Sequence, residues 1–168
     1  MQDIVEAVDL EKGSLYGHFP TKEALAVAAF EYAWRETSDA RLDKMDTVTN
    51  AIEKLKIHIT NLVSLRPFQG GCPLINTIAD NDDGNTALRK LARDALKQWR
   101  LYLQSIVEEG QDRKEIRAEV DSEEVAALII SLLEGAMALD RVDRKSGFLA
   151  KAGRHLNFYI DTLVYRPA

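Results

Sequence analysis

Residues 4–34 read IVEAVDLEKGSLYGHFPTKEALAVAAFEYAW, and this stretch decides the fold. Ile4, Val5 and Val8 give residues 1–8 the apolar spacing of a short helix, DLEK is a turn, and GSLYGHF is a second short helix. Pro20 and Thr21 then open a third helix, from Lys22 to about Arg41. Short helices joined by a turn of about three to four residues form a helix-turn-helix. Asp9 falls where the turn asks for a left-handed residue, which Asp tolerates better than most. Leu15 and Phe19, at i and i+4, face the core of this head, and Ser14, Gly17 and His18 lie on or near one side.

Downstream the pattern stays helical. Val48, Ala51, Ile52, Leu55, Ile59, Leu62 and Val63 mark a helix ending before Pro67, and RPFQGGCP reads as a loop. Leu88, Leu91, Ala92, Ala95, Leu96, Trp99, Leu103, Ile106 and Val107 predict one long helix over about 85–109, with Gly110 as its left-handed end. A further helix runs from Asp121 to about Asp140 and is apolar on two faces, one through Val125, Leu128, Ile129, Leu132 and Leu133, the other through Ile130 and Met137. Such a helix needs two partners, its own core and another subunit. The last helix spans about 146–164. The chain is therefore expected to be all-α: a head and connecting helix over 1–41, then a helical bundle over 42–168. The last two helices are expected to form a homodimer interface through Ile130, Leu133, Met137, Leu156, Tyr159 and Leu163.

Composition agrees with one soluble helical chain. The 168 residues are 46% hydrophobic and 29% charged, with nine glycines and four prolines. Cys72 is the one cysteine, so no internal disulfide forms, and the acidic start MQDIVEAVDLEK is unlike a secretory signal. The longest apolar stretch, Val125 to Leu133, is interrupted by Ser131 and far short of the roughly 20 residues of a membrane span. A cytoplasmic location without membrane contact is expected. The net charge of −5, from 27 acidic and 22 basic residues, weighs against a nucleic-acid partner.

The quoted stretch nonetheless resembles the DNA-binding head of the TetR family of transcriptional regulators. Ile4, Ala7, Leu10, Gly13, Leu15, Tyr16, His18, Phe19, Lys22, Glu23 and Leu25 all stand at family positions. GGCPLINT looks like a subfamily signature; the rest of the bundle resembles the family in helix order. The resemblance implies a ligand-responsive regulator, a repressor released by a small, mainly apolar effector from a near-palindromic double-stranded operator. It places Tyr16, His18 and Lys22 against the DNA backbone and Ser14 and Gly17 against base edges or phosphates, with Lys12 and Thr21 completing the DNA-contacting set. Small side chains let the backbone approach DNA closely, and the helix N-terminus at Thr21 offers free N–H groups to an anion. Gly17 stands where the family has a larger, often basic residue.

Family members carry a further helix and a basic arm ahead of the segment that begins here at Met1, so an N-terminally truncated form is expected. Residues 1–41 hold eight acids and four bases. DNA affinity rests heavily on phosphate neutralisation, so a head with this balance binds weakly unless the missing segment supplies Lys and Arg. The alternative function is a dimeric small-molecule-binding helical protein that lacks DNA binding in this form.

For the effector, His58, Leu62, Phe68, Trp99, Leu103 and Met137 are the expected lining, drawn from long central helices and aromatic or flexible side chains. Each has a plain core reading beside it. Cys72 is read as a small buried residue rather than a sensing thiol, because Arg66 is the one cation within six residues. His155 is read as a surface or interface residue. No enzyme is expected: His18, His58 and His155 lack metal-ligand spacing, and nucleotide-binding, nucleophile-elbow and zincin motifs are missing. No metal or cofactor is expected.

Overall fold

The computed structural model describes residues 17–64, 71–79, 86–143 and 145–164. Within these, six α-helices follow one another: α1 (Lys22–Leu42), α2 (Ala51–Ser64), α3 (Pro73–Ala79), α4 (Thr86–Asp112), α5 (Ser122–Val142) and α6 (Phe148–Thr162). A 3-10 turn, Met45–Thr47, joins α1 to α2. No strand occurs among the described residues, and Ile116 and Val164 meet in an isolated antiparallel bridge.

Each helix start has a local cause. Thr21 caps α1, its Oγ1 accepting from the Ala24 N–H at 3.1 Å. Asn50 Oδ1 accepts from Glu53 N–H at 3.0 Å at the start of α2, while Glu115, 64 residues downstream, accepts from Ala51 N–H at 2.6 Å. Asp121 caps α5 through Glu123 and Glu124 N–H. Asp140, near the end of α5, accepts from Phe148 and Leu149 N–H and so fixes the turn into α6. α3 begins at proline, which suits the first helical position because its missing N–H has no partner there in any case.

α2 runs through the middle, packed by α1, α4 and α6, and buries Leu55, His58, Ile59 and Leu62. Gly110 departs from the sequence expectation. It lies inside α4, two residues before its end, and the left-handed residue is Lys114 at φ 57°. A Cβ on Gly110 would stand 2.6 Å from Ala51 Cβ and 2.9 Å from Ile116 Cδ1, so glycine is required there by close approach of α2, not by turn geometry.

Most of the residues expected at an interface pack within the chain itself. Ile130, Leu133 and Met137 are buried inside the chain's own core, as are Leu156 and Leu163 of the last helical segment, and Tyr159 is half-buried against it. The outward arc of α5 carries Leu128, Leu132, Leu139 and Val142 instead, continued by Phe148 and Phe158 on α6. Both arcs of α5 are apolar, so periodicity alone does not say which one α4 and α6 cover.

Candidate functional site

Trp34, Ser38 and Arg41 are spaced i, i+4 and i+7 along α1, so they share one face, and that face looks into the bundle. With Leu42 they form one wall of a cavity of about 300 Å³; His58 from α2 and Gln98, Trp99 and Tyr102 from α4 form the rest. This volume sits at the lower end of small-molecule clefts.

Arg41 dominates the electrostatics. Its side chain is 3% exposed, and its guanidinium carbon lies 4.3 Å from the Trp34 ring centre and 4.1 Å from that of Trp99. The two indoles meet edge-on at 6.2 Å, and Phe30 stacks on Trp34 at the same separation, extending the aromatic wall. Arg41 Nη2 donates to Ser38 Oγ at 2.9 Å. Among the described residues its other N–H groups have no acceptor, and no carboxylate lies within 4 Å. Burial lowers its pKa to about 10, with Cys72 and Glu134 opposing the shift, so the guanidinium is charged at neutral pH. The aromatic faces and the negative end of α1 partly replace its lost hydration.

His58 is fully buried. Its Nε2 accepts the indole N–H of Trp99 at 3.0 Å, while among the described residues Nδ1 has no hydrogen bond of ordinary geometry, the Arg41 backbone acting on the ring only weakly. Burial, reinforced by the charge of Arg41, holds its pKa down at about 3, so the ring is neutral. Asn61 donates to the Arg41 and Asp43 carbonyls and pins the end of α1 against α2.

Of the six expected ligand residues, His58 and Trp99 meet at this cavity. Leu62, Leu103 and Met137 are buried in the core and do not line it, and Phe68 lies outside the described residues. Sequence reasoning missed Arg41 and Ser38; the available signal was their spacing from Trp34 on one face of α1. Cys72 is buried, with Sγ donating to Glu134 Oε1 at 3.1 Å; burial and the nearby Glu134 push the thiol up to about 12.

At the opposite end of α1, Gly17 and His18 close a helix three residues before the Thr21 cap. Gly17, His18, Thr21 and Lys22 are all exposed. Lys12, Ser14 and Tyr16 lie outside the described residues.

α1 runs into a helical bundle and forms one wall of its cavity, and sequence relationships specify the class of protein. Residues 50–156 match the family model of the tetracyclin repressor-like C-terminal domain, and residues 1–29 match that of bacterial regulatory proteins of the tetR family. The chain belongs to the TetR family of transcriptional regulators. A solved TetR transcriptional regulator from Chloroflexus aurantiacus J-10-FL is 36% identical, with a TM-score of 0.90 over 98% of this chain and 85% of that one. A TetR-family regulator from Cytophaga hutchinsonii is 32% identical, with a TM-score of 0.88 over 99% of this chain and 85% of that one. The HTH-type transcriptional repressor DhaR of Mycobacterium sp. (strain GP1) is 24% identical over 147 residues, 86% of this chain and 73% of its own length. These relatives are transcriptional regulators, not enzymes.

Proposed function

We propose that the chain is a ligand-responsive repressor, in which a small molecule held between α1, α2 and α4 moves α1 and releases operator DNA. One observation carries this reading: half of the cavity's lining residues belong to α1, the helix whose other end is the Thr21 cap beside the exposed Gly17 and His18. α1 is about 32 Å long at 1.5 Å per residue, so a small tilt at Ser38 and Arg41 becomes a larger displacement at Lys22. The relationship to DhaR supports repression as the direction of control.

Lys12, Ser14, Tyr16, Gly17, His18, Thr21 and Lys22 are the proposed DNA-contacting set. A homodimer would present two such heads about 34–36 Å apart, one helical turn of DNA, which asks for a near-palindromic site. The outward apolar arc of α5 and α6 is the proposed dimer surface, because Leu128, Leu132, Leu139, Val142 and Phe158 are otherwise left to water. The effector's response is set by its differential affinity for the DNA-competent and released states. Selecting duplexes from a random pool with the protein tests the reading: enrichment of a near-palindrome is expected, and enrichment of no sequence supports instead a small-molecule-binding dimer without DNA function.

A further inference from the structure

We infer that the effector is an anion, a small planar apolar acid whose carboxylate docks on the guanidinium edge of Arg41. The inference rests on the reading of this cavity as the effector site and adds the chemical class of what fills it.

Three observations lead there. First, Arg41 is a residue only 3% exposed that lines the cavity, and among the described residues its guanidinium has a single hydrogen bond, to neutral Ser38, and no carboxylate within 4 Å. A buried charge without a partner is costly, and an incoming anion removes that cost while gaining its own charge-assisted bonds. Second, the Trp34 and Trp99 rings already hold the guanidinium at 4.3 and 4.1 Å, so a ligand cation would meet a positive charge at this aromatic wall. The two indoles stand at 62° to one another and approach the guanidinium from two directions, and its N–H donors form a planar fork that matches a carboxylate bidentately. Third, the remaining walls are Leu42, Tyr102, the indoles, a His58 ring kept neutral and the uncharged Gln98, so the body of the ligand meets mainly apolar and aromatic surface and no second charge.

Among the described residues, Glu134 is the one buried carboxyl whose field reaches Arg41. It makes no hydrogen bond to Arg41: its Oε1 is engaged by the Cys72 thiol, its Oε2 has no partner among the described residues, and burial raises its pKa against the opposing pull of the Cys72 bond and the Arg41 charge.

The test compares three isosteric probes by calorimetry and thermal shift: 2-naphthoate, neutral 2-naphthamide and cationic 2-naphthylmethylammonium. The naphthoate is expected to bind at least about tenfold more tightly than the amide, with the cation weakest. Arg41→Gln should bring acid and amide to parity, and Arg41→Lys, which keeps the charge but loses the fork, should retain part of the preference. The ranking in the unaltered protein decides the matter even where Arg41→Gln lowers stability. Equal binding of all three probes, lost together in the cavity-filling Ser38→Phe variant, would overturn the anionic class and leave the cavity as the effector site. No binding of any probe at millimolar concentration would overturn both.

Discussion

The indole N–H of Trp99 donates to His58 Nε2 at 3.0 Å, so the neutral imidazole carries its proton on Nδ1 and cannot take up a second one without losing this bond. His58 therefore ties the acid stability of the bundle to the wall of its cavity.

The sign follows from the shift. His58 titrates at about 3 in the folded protein against 6.5 in an unfolded chain. The unfolded state thus binds more protons between those values, and this group's contribution is complete above pH 6.5 and is lost progressively as pH falls toward 3. The loss approaches about 1.4 kcal/mol per pH unit within the window. In His58→Gln, which keeps an acceptor for Trp99 but does not titrate, the fall in urea midpoint between pH 7 and 4.5 should be shallower; parallel curves would contradict the assignment.

Gly110→Ala should destabilise although alanine is the better helix former by about 1 kcal/mol. The new methyl would meet Ala51 Cβ at 2.6 Å and Ile116 Cδ1 at 2.9 Å, and overpacking of this kind costs about 1–3 kcal/mol. Urea unfolding measures the difference, and a more stable variant would show that α2 and α4 separate without penalty.

For the dimer surface, Leu132→Glu should yield folded monomers by sedimentation with little change in helical content, because Leu132 is 38% exposed on the outward arc of α5. Ile130→Glu should instead unfold the chain, since it would bury an unpaired carboxylate in the core. A Leu132→Glu protein that remains dimeric would move the interface elsewhere.

Cys72 should resist alkylation. With its thiol pushed up to about 12 and its Sγ buried against Glu134, it carries almost no thiolate at pH 8. Iodoacetamide labelling followed by mass spectrometry should be slow in buffer and fast in denaturing urea; rapid labelling of the folded protein would contradict this.

Much of the bundle is legible in the sequence because burial there follows a single stripe. Ala92, Ala95, Trp99, Leu103 and Ile106 fall on one face of α4, so periodicity finds the helix within three residues at its far end. It misplaces that end because glycine both caps helices and permits close approach, and only the position of Ala51 tells the two apart. α5 shows the opposite difficulty: with apolar residues on both arcs, the choice of buried face depends on where α4 and α6 lie. α3 is hidden because its seven residues follow the turn signal GGCP.

Two of the eight residues that line the candidate site are legible in the sequence. Trp99 and His58 draw attention as an aromatic and a polar group on buried stripes. Arg41 does not, since a cation in the last turn of a helix reads as a favourable charge at the negative end of that helix. Its buried role comes from two indoles 65 residues apart in the chain, which only the packing of α1 on α4 brings together against it.

The central claim is that occupation of the cavity between α1, α2 and α4 controls DNA affinity. The direct measurement is fluorescence anisotropy of the selected duplex, titrated with protein in the presence and absence of saturating 2-naphthoate. The account predicts at least about a tenfold rise in the DNA dissociation constant, matched by an equal loss of naphthoate affinity when DNA is bound, because coupling free energies are reciprocal. Naphthoate that binds in the cavity and leaves the DNA dissociation constant unchanged would contradict it.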